Sequence, residues 1–236
     1  MAERKDTAGH GRDAFLGTVA HDLRAPLAGI AGFADALLDG SVPPEKEKAV
    51  LSLISDEAHR LSRLVSSLLD VTRLDAGARA LAFTRFDVCE LLRRALLSLE
   101  APIDKKRLQV CFSDKVERCF IRADRDAVHE AAYNLLQNAV KYSPEGGTLR
   151  VEVLPDGEKC RVAVTNDGEV APDELPRLFD RYYRTSGAGK ADETGVGLGL
   201  YIVKRLIEAH GETVSAESSD GVCTFSFTMP LDGETP

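Results

Sequence analysis

His21-Asp22-Leu23-Arg24-Ala25-Pro26-Leu27 sets an imidazole next to a carboxylate, and more than a hundred residues later two further strings suit phosphate and a metal. These are Asn134-Leu135-Leu136-Gln137-Asn138-Ala139-Val140-Lys141-Tyr142 and Gly195-Val196-Gly197-Leu198-Gly199-Leu200. With an unperturbed pKa of about 6.5, imidazole is mostly neutral at pH 7 and is then a fair nucleophile. Asp22 is placed to take or orient the proton on the ring nitrogen that does not attack. Asn134 and Asn138 stand at i and i+4 and share a helix face. Two amide oxygens on one face can help to hold Mg²⁺, a hard cation that keeps several waters and shares its site with phosphates. Lys141, one turn on, meets phosphate as a point charge. The glycines of the third string let the backbone approach an anion at the start of a helix. That string has no Gly-Lys-Ser/Thr and is not a Walker A loop. A nucleophile on one element and a phosphate donor on another point to a kinase that phosphorylates itself.

The elements that carry these residues fall into two groups. From Asp13 to Asp39, Leu16, Ala20, Leu23, Leu27, Ile30, Ala34 and Leu37 are spaced as a heptad seam. His21 follows a seam position and sits at its edge. Pro26 removes a backbone donor, bends the helix and frees the carbonyl of Asp22. Gly40, Pro43 and Pro44 end this helix. A second seam, Leu51, Ile54, Ala58, Leu61, Val65 and Leu68, closes near Asp75-Ala76-Gly77. An antiparallel hairpin of two such helices has too little core to stand alone, so two hairpins should pair as a four-helix bundle and make a homodimer.

From residue 82 to 232 the pattern changes to short β-branched runs among helices. Leu108–Phe112, Cys119–Ile121, Thr148–Val153, Arg161–Thr165, Thr213–Ala216 and Cys223–Met229 read as strands. Val88–Leu99, Arg125–Lys141 and Leu198–His210 read as helices. Pro144-Glu145-Gly146-Gly147 and Pro155-Asp156-Gly157 read as turns. The expected architecture is therefore two domains, with a tail over 1–12. An all-α hairpin over 13–78 precedes an α+β sandwich over 82–232, a mixed sheet with helices on one face. Phe179-Asp180-Arg181-Tyr182-Tyr183-Arg184 lies between the two phosphate strings, and the polar stretch Thr185 to Thr194 reads as a mobile lid.

Composition excludes several classes. The 236 residues carry a net charge of −8 with no dense basic patch, which argues against nucleic acid. No apolar run approaches the roughly 20 residues that span a bilayer, and the polar start lacks a signal peptide's apolar core. The expectation is a soluble chain in the cytoplasm, or the cytoplasmic portion of a membrane-bound sensor. The five cysteines form no CxxC pair and read as reduced, mostly buried thiols. His10, His59 and His210 have no surroundings comparable to those of His21.

Taken together, these strings resemble the sensor histidine kinases of two-component signalling over about residues 13 to 230. The histidine box is similar to His21–Leu27, the asparagine box to Asn134–Tyr142, a first glycine box to Asn166-Asp167-Gly168, a phenylalanine box to Phe179–Arg184 and a second glycine box to Gly195–Leu200. The resemblance implies a dimerisation and phosphotransfer hairpin followed by a Bergerat-type ATP-binding domain. It implies that ATP phosphorylates His21, with Asn138 as a Mg²⁺ ligand, and that phosphate then moves to an aspartate on a separate response regulator's receiver domain. Its nucleotide-binding positions are Asn134, Asn138, Lys141, Tyr142, Asn166, Gly168, Gly195, Gly197, Gly199 and Leu200.

Two positions depart from the family's pattern. Where an aspartate normally accepts from the adenine amino group stands Asn166, and Glu169-Val170-Ala171 supplies no second glycine. An uncharged acceptor costs on the order of 1 kcal/mol and weakens nucleotide binding several-fold without abolishing it. Ala25, four residues after His21, stands where phosphatase-active relatives carry threonine or asparagine, so water-assisted dephosphorylation of the regulator should be weak or absent. The rival expectation is a degenerate kinase that serves as a binding scaffold or phosphotransfer module.

Overall fold

The computed structural model describes residues 23–75, 80–113, 116–185 and 197–232. The chain divides into two compact units, Met1–Asp70 and Val71–Pro236. In the first, helix α1 is described over 23–38 and α2 over Pro44–Asp75. Gly40 stops α1: its φ of +74° places it in the left-handed region, and Ser41 N–H reaches back to the Ala36 carbonyl at 3.1 Å. That bond closes the helix end in a Schellman motif. Pro44 then opens α2, where its missing N–H costs nothing, and Glu45 and Glu47 complement the helix dipole in the first turn. The seam residues Leu23, Ile30, Ile54 and Leu61 are half-buried, yet Leu27 and Leu51 remain 54% and 55% exposed. The expected start of α1, with His21 and Asp22, lies outside the described residues, and so does 76–79.

The second unit runs β1 (Phe83–Asp87), α3 (Val88–Leu97), α4 (Glu100–Lys105), β2 (Gln109–Phe112), β3 (Phe120–Asp124), α5 (Arg125–Tyr142), β4 (Thr148–Asp156), β5 (Lys159–Asp167), a 3₁₀ turn (Leu175–Arg177), α6 (Gly199–Ala209), β6 (Val214–Ser219) and β7 (Val222–Pro230). Five strands form a mixed sheet in the order β2-β4-β5-β7-β6, with only β2 and β4 parallel. β1 and β3 pair as a separate antiparallel ribbon. Leu149, Val151 and Val153 of β4, Val162 and Val164 of β5, and Phe225 and Phe227 of β7 are buried. α5 packs on β5, and α3 and α6 pack on α5.

Three features differ from the sequence expectation. β1 was not anticipated, because Phe83-Thr84-Arg85-Phe86-Asp87 is too short and polar to stand out as a strand. The helix expected over Val88–Leu99 is α3 and stops at Leu97; α4, which was not anticipated, follows it and carries Pro102 in its first turn, where proline is tolerated. β4 also runs through Pro155, with only Gly157 and Glu158 turning the chain. Proline fits there because β2 pairs with β4 only as far as Val151, which leaves an open edge.

An aspartate ends each strand of the ribbon and starts a helix. Asp87 Oδ1 accepts from Cys89 N and Cys119 N, both at 3.0 Å. Asp124 Oδ1 accepts from Ala127 N at 2.9 Å, and its Oδ2 accepts from Ala82 N at 2.9 Å. The Asp124 N–H donates to His210 Nε2 at 3.1 Å, which ties the end of α6 to the start of α5.

All five cysteines are unpaired, and only Cys111 is exposed. Burial pushes the Cys223 thiol up to about 11 and, with the nearby Asp87 carboxylate, the Cys89 thiol up to about 12. A thiol-specific reagent at pH 8 should therefore modify Cys111 alone in the native chain and the other four only after denaturation. Asp124→Ala should lower unfolding free energy in urea by about 2 kcal/mol, from a lost N-cap and an unpaired Ala82 N–H, and Asp124→Asn by less.

Candidate nucleotide-binding site

α5 is held on one side by the core. Ala127, Val128, Ala131, Ala132, Leu135, Leu136, Ala139 and Val140 are buried, which leaves Asn134, Asn138 and Lys141 half-buried on another face. The Asn134 amide has a fixed orientation. Its Nδ2 donates to the Glu130 carbonyl at 2.9 Å, and its Oδ1 lies 3.3 Å from where a Cβ on Gly199 would stand. The polar face of α5 thus meets the first residue of α6. Lys141 Nζ sits 5.0 Å from the centre of the Tyr142 ring, which is 44% exposed.

A second group closes one end. Asn166, only 3% exposed on β5, donates from Nδ2 to the Asp167 carbonyl at 2.9 Å. Gly168 follows at φ +143°, anchored by its N–H to the Gly221 carbonyl at 2.9 Å. A Cβ there would stand 3.3 Å from Asn166 Nδ2 and 3.8 Å from the Tyr142 carbonyl. Asn166, Gly168 and the end of α5 are therefore neighbours. Asp167, which carried no role in the sequence reading, turns its carboxylate elsewhere. Its Oδ2 accepts from Thr148 N at 2.7 Å and ties the end of β5 to the start of β4. Strand alternation is the signal that separates these two adjacent side chains.

The phenylalanine string and the second glycine string fit together. Phe179 is buried edge-on against Phe225, with centroids 6.3 Å apart. Arg181 donates from Nε to the Tyr182 hydroxyl at 3.1 Å, and its guanidinium lies 5.8 Å from the Tyr201 ring of α6. Tyr183 donates its hydroxyl to Glu174 Oε1 at 3.2 Å; burial and this carboxylate raise its pKa. Tyr182 N–H donates to the Gly197 carbonyl at 3.0 Å. Gly197 has φ +71°, and a Cβ there would stand 2.7 Å from the Tyr183 carbonyl oxygen. These two glycines were read as space for an anion. Their near neighbours are instead protein: Gly197 makes room for the Tyr182–Tyr183 backbone, and Gly199 makes room for Asn134. Leu200 follows in the first turn of α6, which has no side-chain cap and no acidic residue. Its leading N–H groups are the kind that bind phosphate. Gly195, residues 186–194 of the lid expected over Thr185 to Thr194, His21 and Asp22 lie outside the described residues.

Amide oxygens, a lysine and an uncapped helix start make a donor set suited to a magnesium–nucleotide complex. Among the described residues no group of three or more His, Cys, Asp and Glu could hold a metal by itself. The residues present fit a cation that arrives with phosphate oxygens and takes the rest of its shell from water and an amide.

Comparison with known proteins agrees with this geometry. Residues 12–77 match the family described as His Kinase A (phospho-acceptor) domain, and residues 123–233 match that described as Histidine kinase-, DNA gyrase B-, and HSP90-like ATPase. The sensor protein SrrB of Staphylococcus aureus is 30% identical over 219 residues, which is 92% of this chain and 37% of SrrB. The chain thus spans little more than a third of such relatives. Histidine kinase ThkA, crystallised with the response regulator protein TrrA, superposes with a TM-score of 0.76 at 26% identity, over 98% of this chain and 65% of ThkA. Full-length ShkA in complex with AMPPNP superposes with a TM-score of 0.70 at 29% identity, over 94% of this chain and 47% of ShkA.

The two glycines should respond differently to a methyl group. Gly197→Ala forces backbone apart at a left-handed position and should weaken magnesium-nucleotide binding by more than about tenfold. Gly199→Ala meets only one side-chain oxygen and should cost about two- to fivefold. Isothermal titration with a non-hydrolysable nucleotide measures both.

Proposed function

We propose, from the chain's place among the sensor histidine kinases of two-component signalling, to which it belongs as a transmitter core, that it phosphorylates itself on His21 with ATP and passes the phosphoryl group to an aspartate of a response regulator. The observation that best supports this is the meeting of α5 and α6, where Asn134 Oδ1 lies against Gly199 beside an uncapped helix start. Asn138 ligates the metal, with Asn134 beside it, and Lys141 contacts phosphate. Gly199 and Leu200 offer backbone N–H groups to the phosphates. Asn166 accepts from the adenine amino group, with Gly168 and Tyr142 at the rim of that pocket. Held by Asn138 together with the nucleotide, Mg²⁺ would supply charge neutralisation as the phosphoryl group leaves.

At His21 an imidazole lone pair forms the N–P bond while the bond from phosphorus to the β–γ bridging oxygen breaks. ADP leaves, and Asp22 takes or orients the proton on the other ring nitrogen. In the second step the N–P bond breaks as a receiver carboxylate forms an O–P bond. ThkA crystallised with its regulator supports that class of partner. Ala25, exposed on α1, has no side-chain group to orient water, so we infer little regulator phosphatase activity by that route. We assign 13–78 to dimerisation and phosphotransfer and 82–232 to nucleotide binding. The exposed Leu27, Leu51 and Val65 support pairing of two hairpins in a four-helix bundle. Among the described residues no helix is long and apolar enough to cross a membrane; we place this part of the protein in the cytoplasm, where ATP and reduced thiols are found.

A second reading, a degenerate kinase acting as a scaffold or phosphotransfer module, is favoured by one observation: the adenine position holds a neutral amide whose Nδ2 is engaged by Asp167. Labelling decides between them. With γ-labelled ATP and Mg²⁺ the dimer should take up acid-labile label, and His21→Gln should take up none. Asn138→Ala should abolish labelling yet sediment as a dimer. ATP binding without any label supports the scaffold, and acid-stable label points to serine or threonine chemistry.

A further inference from the structure

Lys106 belongs to none of the sequence motifs, yet it holds the end of the helix on which the nucleotide site is built. It caps α4, and its ammonium donates to the carbonyls of Lys141 and Ser143, the latter at 2.9 Å. The Lys106 carbonyl accepts from Gly146 N at 2.8 Å, and Gln109 N donates to the Gly147 carbonyl at 2.8 Å. The chain after α4 therefore grips the loop after α5 by both side chain and backbone.

The helix end does not need this lysine merely to stop. Ser143 N–H bonds the Ala139 carbonyl at 3.0 Å, and its hydroxyl donates to the same oxygen at 2.7 Å. What the ammonium adds is a lateral hold on carbonyls that carry the negative end of the helix dipole. Those carbonyls bracket Tyr142. Across the same turn, the Tyr142 carbonyl lies 3.8 Å from where a Cβ on Gly168 would stand, and the Asn166 amide 3.3 Å from the same point. Lys106 stands on one side of residues 141–143, and the proposed adenine pocket stands on the other.

We infer that Lys106 is a positioning residue for the nucleotide: by holding the Lys141 and Ser143 carbonyls it sets the distance from Lys141 and Tyr142 to Asn166 and Gly168. It acts through α5, because its ammonium points at carbonyl oxygens. Loss of the hold should loosen ground-state binding and leave the chemical step at His21 largely intact. The inference rests on the nucleotide-site assignment above.

The test uses the full chain. Binding of magnesium-ATP by calorimetry, and KM and kcat for autophosphorylation, are measured for the unaltered protein and for Lys106→Met, Lys106→Arg and Lys105→Met. Lys106→Met should raise both Kd and KM about tenfold with kcat within about twofold. Lys106→Arg, which keeps charged donors, should return Kd to within about threefold of the unaltered value. Lys105→Met, at the exposed neighbouring lysine, should change nothing. A folded Lys106→Met chain that binds ATP as tightly as the unaltered protein overturns the inference, and so does an equal loss in Lys105→Met. A fall in kcat alone overturns it as well. If Lys106→Met does not fold, Lys106→Gln replaces it: weaker binding than Lys106→Arg supports the inference, and equal binding overturns it. If the unaltered chain itself binds no magnesium-ATP, the nucleotide-site assignment fails first, a result distinct from any of these.

Discussion

The close approach of α5 and α6 governs the second unit. A helix that must bury one side in the core has little freedom in where it shows the other, and α5 is apolar along most of one side. Asn134 is consequently delivered against the start of α6, and Asn138 and Lys141 stay half-buried. A methyl group at Gly199 would stand 3.3 Å from Asn134 Oδ1 and press on that amide. Asn134 cannot simply swing aside, since its Nδ2 is committed to the Glu130 carbonyl. The second glycine string is constrained at both ends, by Asn134 at Gly199 and by the Tyr182–Tyr183 backbone at Gly197. Its glycines answer first to packing within the protein. Only what remains, the leading N–H groups of α6, is left for an anion.

Electrostatics agree with this arrangement although the net charge of −8 opposes an anionic ligand. An anionic ligand responds to the local field, and on the proposed reading the α6 dipole and Lys141 would make that field favourable at the start of α6. Three acids of this unit have other tasks. Asp167 accepts from Thr148 N, Asp124 caps α5, and Glu174 receives the Tyr183 hydroxyl. None of these contacts turns a carboxylate toward the start of α6, where it would repel phosphate.

Much of this was legible in the sequence, for identifiable reasons. The long helices showed themselves by periodicity: Arg125–Lys141 was expected, and α5 extends one residue further. β-Branched runs marked six strands, and all but β2 were read short because polar ends such as Asp156 and Asp167 look like turns. β1 was missed because its side chains are mostly exposed and its stability comes from pairing with β3, forty residues on. α4 was missed because Pro102 reads as a breaker unless its place in the first turn is known. Residue types and spacing singled out Asn134, Asn138 and Lys141, which α5 leaves half-buried on one face, but not what each glycine makes room for. Close approach between distant backbone segments leaves no mark on composition. Lys106 was invisible for the same reason, since its partners are carbonyl oxygens that every residue possesses.

The exchange of roles at Asn166 and Asp167 follows from the pleat. Adjacent residues on a strand face opposite ways, so the carboxylate and the amide cannot both serve the base. In this chain the carboxylate faces the N–H of Thr148 and the turn at Gly147, a contact that joins β5 to the loop following α5. The amide faces Gly168 and the end of α5. Charge has thus gone to the side where it strengthens a hydrogen bond within the protein. The other side keeps a neutral group, one of whose Nδ2 hydrogens is occupied by the Asp167 carbonyl. The Asn166 Oδ1 stays an acceptor and the second Nδ2 hydrogen a donor. On the proposed nucleotide reading, this neutral amide would bind an adenine amino group more weakly than a carboxylate.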